Sequence, residues 1–184
     1  MEKINLRFSV VVLMIIAASV CRFVPHPAGF APIGAMALFG AAYFKNKFAA
    51  FVIPVVTMWI SDLVMNNIIF AGTYDTFVFF YQGFYITYGA FLLIVAMGIL
   101  TLKTVKIKSV IFSSLGASLI FFIVSNFGVW AATDIYQHNI SGLTTCYIAG
   151  LPFFRNGIAG DLFFCGIGFG VFEFLKSKVP QLKA

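Results

Sequence analysis

The chain has 184 residues, 61% of them hydrophobic and 10% charged, with a net charge of +6. A soluble domain wets its surface with about 25% charged residues, so this composition argues against a soluble fold. A nucleic-acid partner is also disfavoured, because the lysines fall in short clusters between apolar runs, where orientation signals sit.

Mean hydropathy is +1.01. A hydrocarbon core of about 30 Å takes about 20 helical residues. The length therefore accommodates about six spans with short connections, a single transmembrane domain over 1–184, and no separate soluble domain. The first span is expected near Leu6 to Val24. It starts basic, like a signal peptide, but bulky Val20 before Cys21 disfavours lipoprotein cleavage, so it reads as an uncleaved helix. Pro25-His26-Pro27 breaks it, since each proline removes a donor and restricts its predecessor.

The second span, near Phe30 to Phe44, is rich in Gly and Ala and ends at Lys45-Asn46-Lys47. The third runs near Phe48 to Ile68, with a loop at 71–75. The fourth is expected near Phe77 to Leu102, followed by Lys103, Lys106 and Lys108. The fifth runs near Val110 to Ala132, with a polar loop over 133–141. The stretch from Gly142 to Leu175 is too long for one perpendicular crossing. Gly142 to Gly150 is therefore expected as a short interfacial segment, with Pro152 opening the sixth helix at its first turn. The three cysteines, Cys21, Cys146 and Cys165, form no CxxC pair and read as small apolar fillers.

Alternate connections carry the positive charge: Lys3 and Arg7, Lys45 and Lys47, Lys103 to Lys108, then Lys176, Lys178 and Lys183. The positive-inside rule places all of these in the cytoplasm, with both termini. Arg22 and Arg155 break the pattern. This topology brings the anomalous polar residues into the outer leaflet half. They are Arg22 and His26 after span one, Asp62 and Asn66 in span three, Asn126 and Trp130 in span five, and Arg155, Asn156 and Asp161 in span six. Buried charges cost at least about 2.5–3.5 kcal/mol each on insertion scales and are usually functional. Asp62 and Asn66 share a helix face at i,i+4, as do Asn126 and Trp130. Tyr81, Tyr85 and Tyr88 form a stripe on span four. Together these point to a cavity open to the outer side.

Plainer readings stand beside that one. Tyr81 and Trp130 suit an interfacial belt, and Arg22 can snorkel to headgroups. Asp62 with Arg22, and Asp161 with Arg155, suit structural ion pairs. His26 suits a loop residue. Asn126 and Asn156 suit interhelical hydrogen bonds, and the Gly/Ala face of span two suits helix packing. No HExxH, Walker A or GxSxG motif and no paired catalytic carboxylates occur, so neither ATP hydrolysis nor a cofactor is indicated.

The segment Pro32-Ile33-Gly34-Ala35-Met36-Ala37-Leu38-Phe39-Gly40-Ala41, followed by Asp62 late in the next span, resembles the substrate-binding S components of energy-coupling-factor (ECF) vitamin transporters. More closely, the chain resembles an uncharacterised bacterial family of S-component-like membrane proteins. The resemblance is carried by Arg22 to His26, Pro32 to Gly40, Ser61-Asp62, Asn126 to Trp130, Pro152 to Asn156 and Gly160-Asp161. It implies a six-helix bundle in the bacterial cytoplasmic (inner) membrane. Such a bundle captures a vitamin or related micronutrient, with an ECF-type scaffold protein and ATPases as partners. Span one has Ala17-Ala18 but no Ala-x-x-x-Ala docking spacing, so a solitary transporter is also open.

On this reading Arg22 and Arg155 bind anionic groups, Asp62 and Asp161 bind amines or amides, and Tyr85 and Trp130 stack on a ring. His26 is a metal ligand only if the substrate itself carries a metal, as a corrinoid does. Two alternatives belong to other classes. One is a membrane-embedded enzyme on lipid or isoprenoid substrates, with His26 and Asp62 as acid and base. The other is a structural or assembly protein whose polar cluster is only ion pairs.

Overall fold

The computed structural model describes residues 6–182; Lys3 and Lys183 lie outside them. Among these residues the fold is all-helical, with six α-helices and no strand. α1 (Leu6–Val20) continues as a 3-10 turn, Cys21–Phe23. It is followed by α2 (Ile33–Tyr43), α3 (Lys47–Val64), α4 (Phe84–Thr101), α5 (Ile107–Ala132) and α6 (Ile140–Lys178). Five helical segments are long and apolar enough to cross a membrane, and α2 alone is shorter.

α2 starts later than its sequence suggests. Pro32 sits at its N-cap, and the residues before it form a turn in which Phe30 N donates to Pro27 O at 2.9 Å. Eleven residues make a rod of about 16 Å. All of it except Ile33 and Ala42 is buried, so α2 is the core around which the others pack. Its small residues let neighbours approach: a Cβ on Gly40 would meet the Pro54 ring of α3, and one on Gly98 of α4 would meet Ala41 and Leu38. Phe39 and Tyr43 pack edge-to-face at 4.7 Å and both lie against Phe172 of α6.

Two expectations are corrected. The region after 142 is not a separate segment followed by a helix opened by Pro152. α6 is one helix of 39 residues with Pro152 inside it. Asn139 caps it, its Oδ1 accepting from Gly142 N at 2.8 Å. The first turns are held on α5 by the Tyr147 hydroxyl, which donates to Ile123 O at 2.8 Å. Proline inside an apolar helix forfeits one backbone hydrogen bond, which packing against a neighbouring helix tolerates. The second correction concerns α4, which begins at Phe84 rather than Phe77. The preceding residues fold back on α3, where Asn67 pins Val78 through both its N–H and its carbonyl (2.7 and 2.9 Å).

Contacts sort the helix termini into two ends. At one, Arg7 of α1 donates to Tyr43 O of α2 (3.2 Å), and the Tyr43 hydroxyl donates to Glu173 of α6 (2.9 Å). Lys176 also bonds Glu173, at 2.8 Å. Every described lysine lies in a connection or terminus at this end. The opposite end holds Arg22, Asp62 and the loop from Val24 to Pro32.

Candidate functional site

Two buried carboxylates organise the lysine-poor end. The first is Asp62, on the last turns of α3 and only 6% exposed. Arg22, on the 3-10 turn ending α1, meets it at 2.6 Å. The guanidinium also donates to Ser61 Oγ and, at 3.4 Å, to Met58 O. The second Asp62 oxygen accepts the Tyr88 hydroxyl of α4 at 2.7 Å. Three helices are thus tied by one ion pair and its hydrogen bonds. Arg22 therefore turns inward rather than snorkelling.

The second carboxylate is Asp161 of α6, also 6% exposed. Its Oδ2 accepts from Ser118 Oγ of α5 at 2.6 Å, and the Gly34 and Ala35 amides at the start of α2 donate to it. Pro32, at the N-cap of α2, makes no side-chain cap. Asp161 supplies that cap from another helix, and its charge suits the positive helix terminus. The fit requires glycine at 34, since a Cβ there would fall onto both carboxylate oxygens.

Beside Asp161 is a cavity of about 90 Å³, walled by Phe121, Phe122, Phe153 and Phe154, with Ser118, Ser125 and Asn126 as its other polar side chains. The loop before α2 borders it through Gly29 and Ala31. Asn156 donates to Ala28 O at 2.8 Å, and Gly29, at φ +89°, passes so near Phe153 O that only glycine fits. A larger cleft of about 340 Å³ opens between α4 and α5, bordered by Tyr81, Gln82, Tyr85, Thr87 and Thr133. Ser125 borders both spaces.

The sequence candidates separate accordingly. Arg22 and Asp62 join directly, and Asn126 and Asp161 line the smaller cavity. Tyr81 and Tyr85 line the larger cleft, where Tyr85 is 59% exposed. Asn156 holds the loop instead of lining a cavity. Trp130 donates to Gln137 O at 3.0 Å and meets His138 edge-on, anchoring the α5–α6 connection. His26 is exposed, its Nδ1 3.1 Å from Pro27 O. The expected Arg155–Asp161 pair does not form, and Arg155 is exposed. Six residues apart on a continuous helix, the two point about 120° away from each other.

Asn66 does not join Asp62 either: the carboxylate's hydrogen-bond partners are Arg22 and Tyr88. α3 passes into a π-helical turn, Met65–Ile69; Asn66 lies on it but borders neither space, while Asn67 beside it holds Val78. Ser118 has no place in the sequence reading; Tyr88 enters it only within the tyrosine stripe, and Ser61 and Gly34 only within motifs. Ser114, Ser118 and Ser125 share one face of α5 by spacing, and that stripe was the available signal. Among the described residues no group of three or more His, Cys, Asp or Glu could hold a metal ion.

These features define a helical bundle whose five long apolar segments point to membrane insertion, with its buried acids gathered at one end. The chain belongs to a family of unknown function, DUF6580, which matches residues 2–182. Neither curated proteins nor solved structures gave a match.

Proposed function

We propose that this protein captures a vitamin-class micronutrient for uptake across a bacterial cytoplasmic membrane, as a six-span bundle with both termini inside. The positive-inside rule assigns the lysine-rich end to the cytoplasm. The lysine-poor end then faces outward and receives the substrate. α2 serves as the sixth crossing, short because it is sheathed by its neighbours.

The observation that carries this reading is the gathering, at the lysine-poor end, of buried Asp161 and two cavities with hydrogen-bonding side chains, next to the Arg22–Asp62 pair that fixes the helices there. Burying charge in an apolar bundle is costly and marks function more often than packing. The 340 Å³ cleft lies in the size range of small-molecule sites, about 300–1,000 Å³. Its Tyr81 and Tyr85 offer ring faces and hydroxyls, the lining such sites favour. The resemblance to ECF S components supports the same reading; it implies a membrane scaffold with ATPases as partners, while the missing Ala-x-x-x-Ala spacing on α1 keeps a solitary transporter open.

Gentle purification followed by native mass spectrometry tests it. The expected result is a co-purifying small molecule whose re-addition raises the unfolding temperature. Absence of any such molecule, no thermal shift across a vitamin panel and no uptake by vesicles would overturn the proposal. Cysteine labelling at 47 and 75 tests the orientation: the Asp75 position should react from outside and the Lys47 position only after permeabilisation.

A further inference from the structure

The cavity beneath the Val24–Pro32 loop combines a buried negative charge with aromatic walls. One water needs about 10–15 Å³ of such space, so about 90 Å³ admits a group of several heavy atoms but not a whole vitamin. No Lys, Arg or His lines it. Asp161 takes one hydroxyl and two backbone donors, and a carboxylate has about four acceptor positions, so accepting capacity remains. The end of α2 offsets about half a unit of its charge. Among the described residues Asp161 has no ion pair. In its ionised form Asp161 therefore leaves net negative charge bordering the space, and a cationic guest would favour that form.

Phe122 and Phe154 stack there, 4.6 Å between ring centres and 25° apart. A carboxylate and aromatic side chains lining one space attract an organic cation twice, by charge-assisted hydrogen bonding and by contact with whichever ring face the stacked pair leaves uncovered. A hard metal ion asks for a shell of oxygens, and these walls are mostly carbon. A neutral guest would leave the residual charge uncompensated.

We infer that this cavity binds a protonated primary amine, the ammonium head of a small substrate, with Asp161 as counter-ion and Phe122 and Phe154 as walls. The inference rests on reading this end as the substrate side, and it names the substrate class: a molecule carrying a slim aliphatic amine.

The test uses the full chain in nanodiscs, titrated with methyl-, ethyl- and propylammonium chloride at constant ionic strength. The alcohols of equal length, and sodium and potassium chloride, serve as comparisons. Saturable calorimetric binding and a raised unfolding temperature are expected with the ammonium series only. Asp161→Asn should lower affinity by about tenfold or more. Because Asp161 also caps α2, a second variant leaves it in place. Gly157→Ala adds a methyl into the cavity, with the nearest atom, Gly29 O, at 3.7 Å. It should keep the fold and weaken ammonium binding by about tenfold, most for propylammonium.

Equal stabilisation by the alcohols, stabilisation by sodium alone, or unchanged binding in Gly157→Ala would overturn the inference. Ammonium binding without any vesicle uptake would sink the capture reading and leave the inference standing. Capture of a neutral molecule with no ammonium binding would do the reverse.

Discussion

Asp62 and Asp161 are equally buried and lie toward the same end of the bundle, yet they are neutralised in different ways. Asp62 has a full positive charge at 2.6 Å, and its second oxygen accepts a tyrosine hydroxyl. Asp161 has only dipoles: a serine hydroxyl and the start of α2. The first site is electrostatically complete and borders neither the 90 Å³ nor the 340 Å³ space. The second is incomplete and has a cavity beside it. A buried ion pair fixes the relative placement of helices, whereas a dipole-held carboxylate keeps charge available for a guest. Sequence alone gave both acids the same role.

The largest expected effect breaks the first site. Asp62→Ala leaves the Arg22 guanidinium buried without a counter-charge, with only Ser61 Oγ and Met58 O to accept from it, which costs about 3–5 kcal/mol. Reversible unfolding in mixed detergent would show this. Replacing both Arg22 and Asp62 by leucine should restore most of the loss. A double variant as weak as Asp62→Ala would mean that the pair does more than cancel charge.

Next is Gly34→Ala, which drives a methyl into the Asp161 carboxylate. An overpacked site of this kind costs about 1–3 kcal/mol. The same variant should lose ammonium binding while leaving the Arg22–Asp62 pair untouched, which separates the two sites directly. Tyr88→Phe removes one hydroxyl from Asp62 and should cost about 1 kcal/mol, with no effect on ammonium binding. Smallest is Trp130→Phe, which loses the indole bond to Gln137 O at an exposed connection and should cost about 0.5 kcal/mol. A large loss there would show that the α5–α6 connection matters more than either acid.

The long apolar runs were legible because length and composition decide them. α1, α3 and α5 lie within a few residues of their expected bounds. The misjudged places share a cause: tertiary packing overrode a local signal. Pro152 reads as a helix start, yet α5 holds the turns before it in one continuous helix. The Phe77–Tyr81 run reads as helix, yet Asn67 and Trp59 draw its backbone onto α3. Asn66 reads as the partner position of Asp62, yet Asp62 is satisfied from other helices, by Arg22 and Tyr88. Among the site residues, the acids and arginines stand out against an apolar background. Ser118 and Gly34 do not, because a serine or glycine in a membrane helix ordinarily serves close packing. Their roles follow only from the meeting of α2, α5 and α6.

α2 and α6 touch at both extremities. Asp161 grips the first amides of α2, and the last residue of α2, Tyr43, grips Glu173 three turns further along α6. Two rods joined by two rungs slide or tilt as one body. The stretch of α6 from Asp161 to Glu173 thus runs alongside the whole of α2, and the two contacts keep the helices in register along that length.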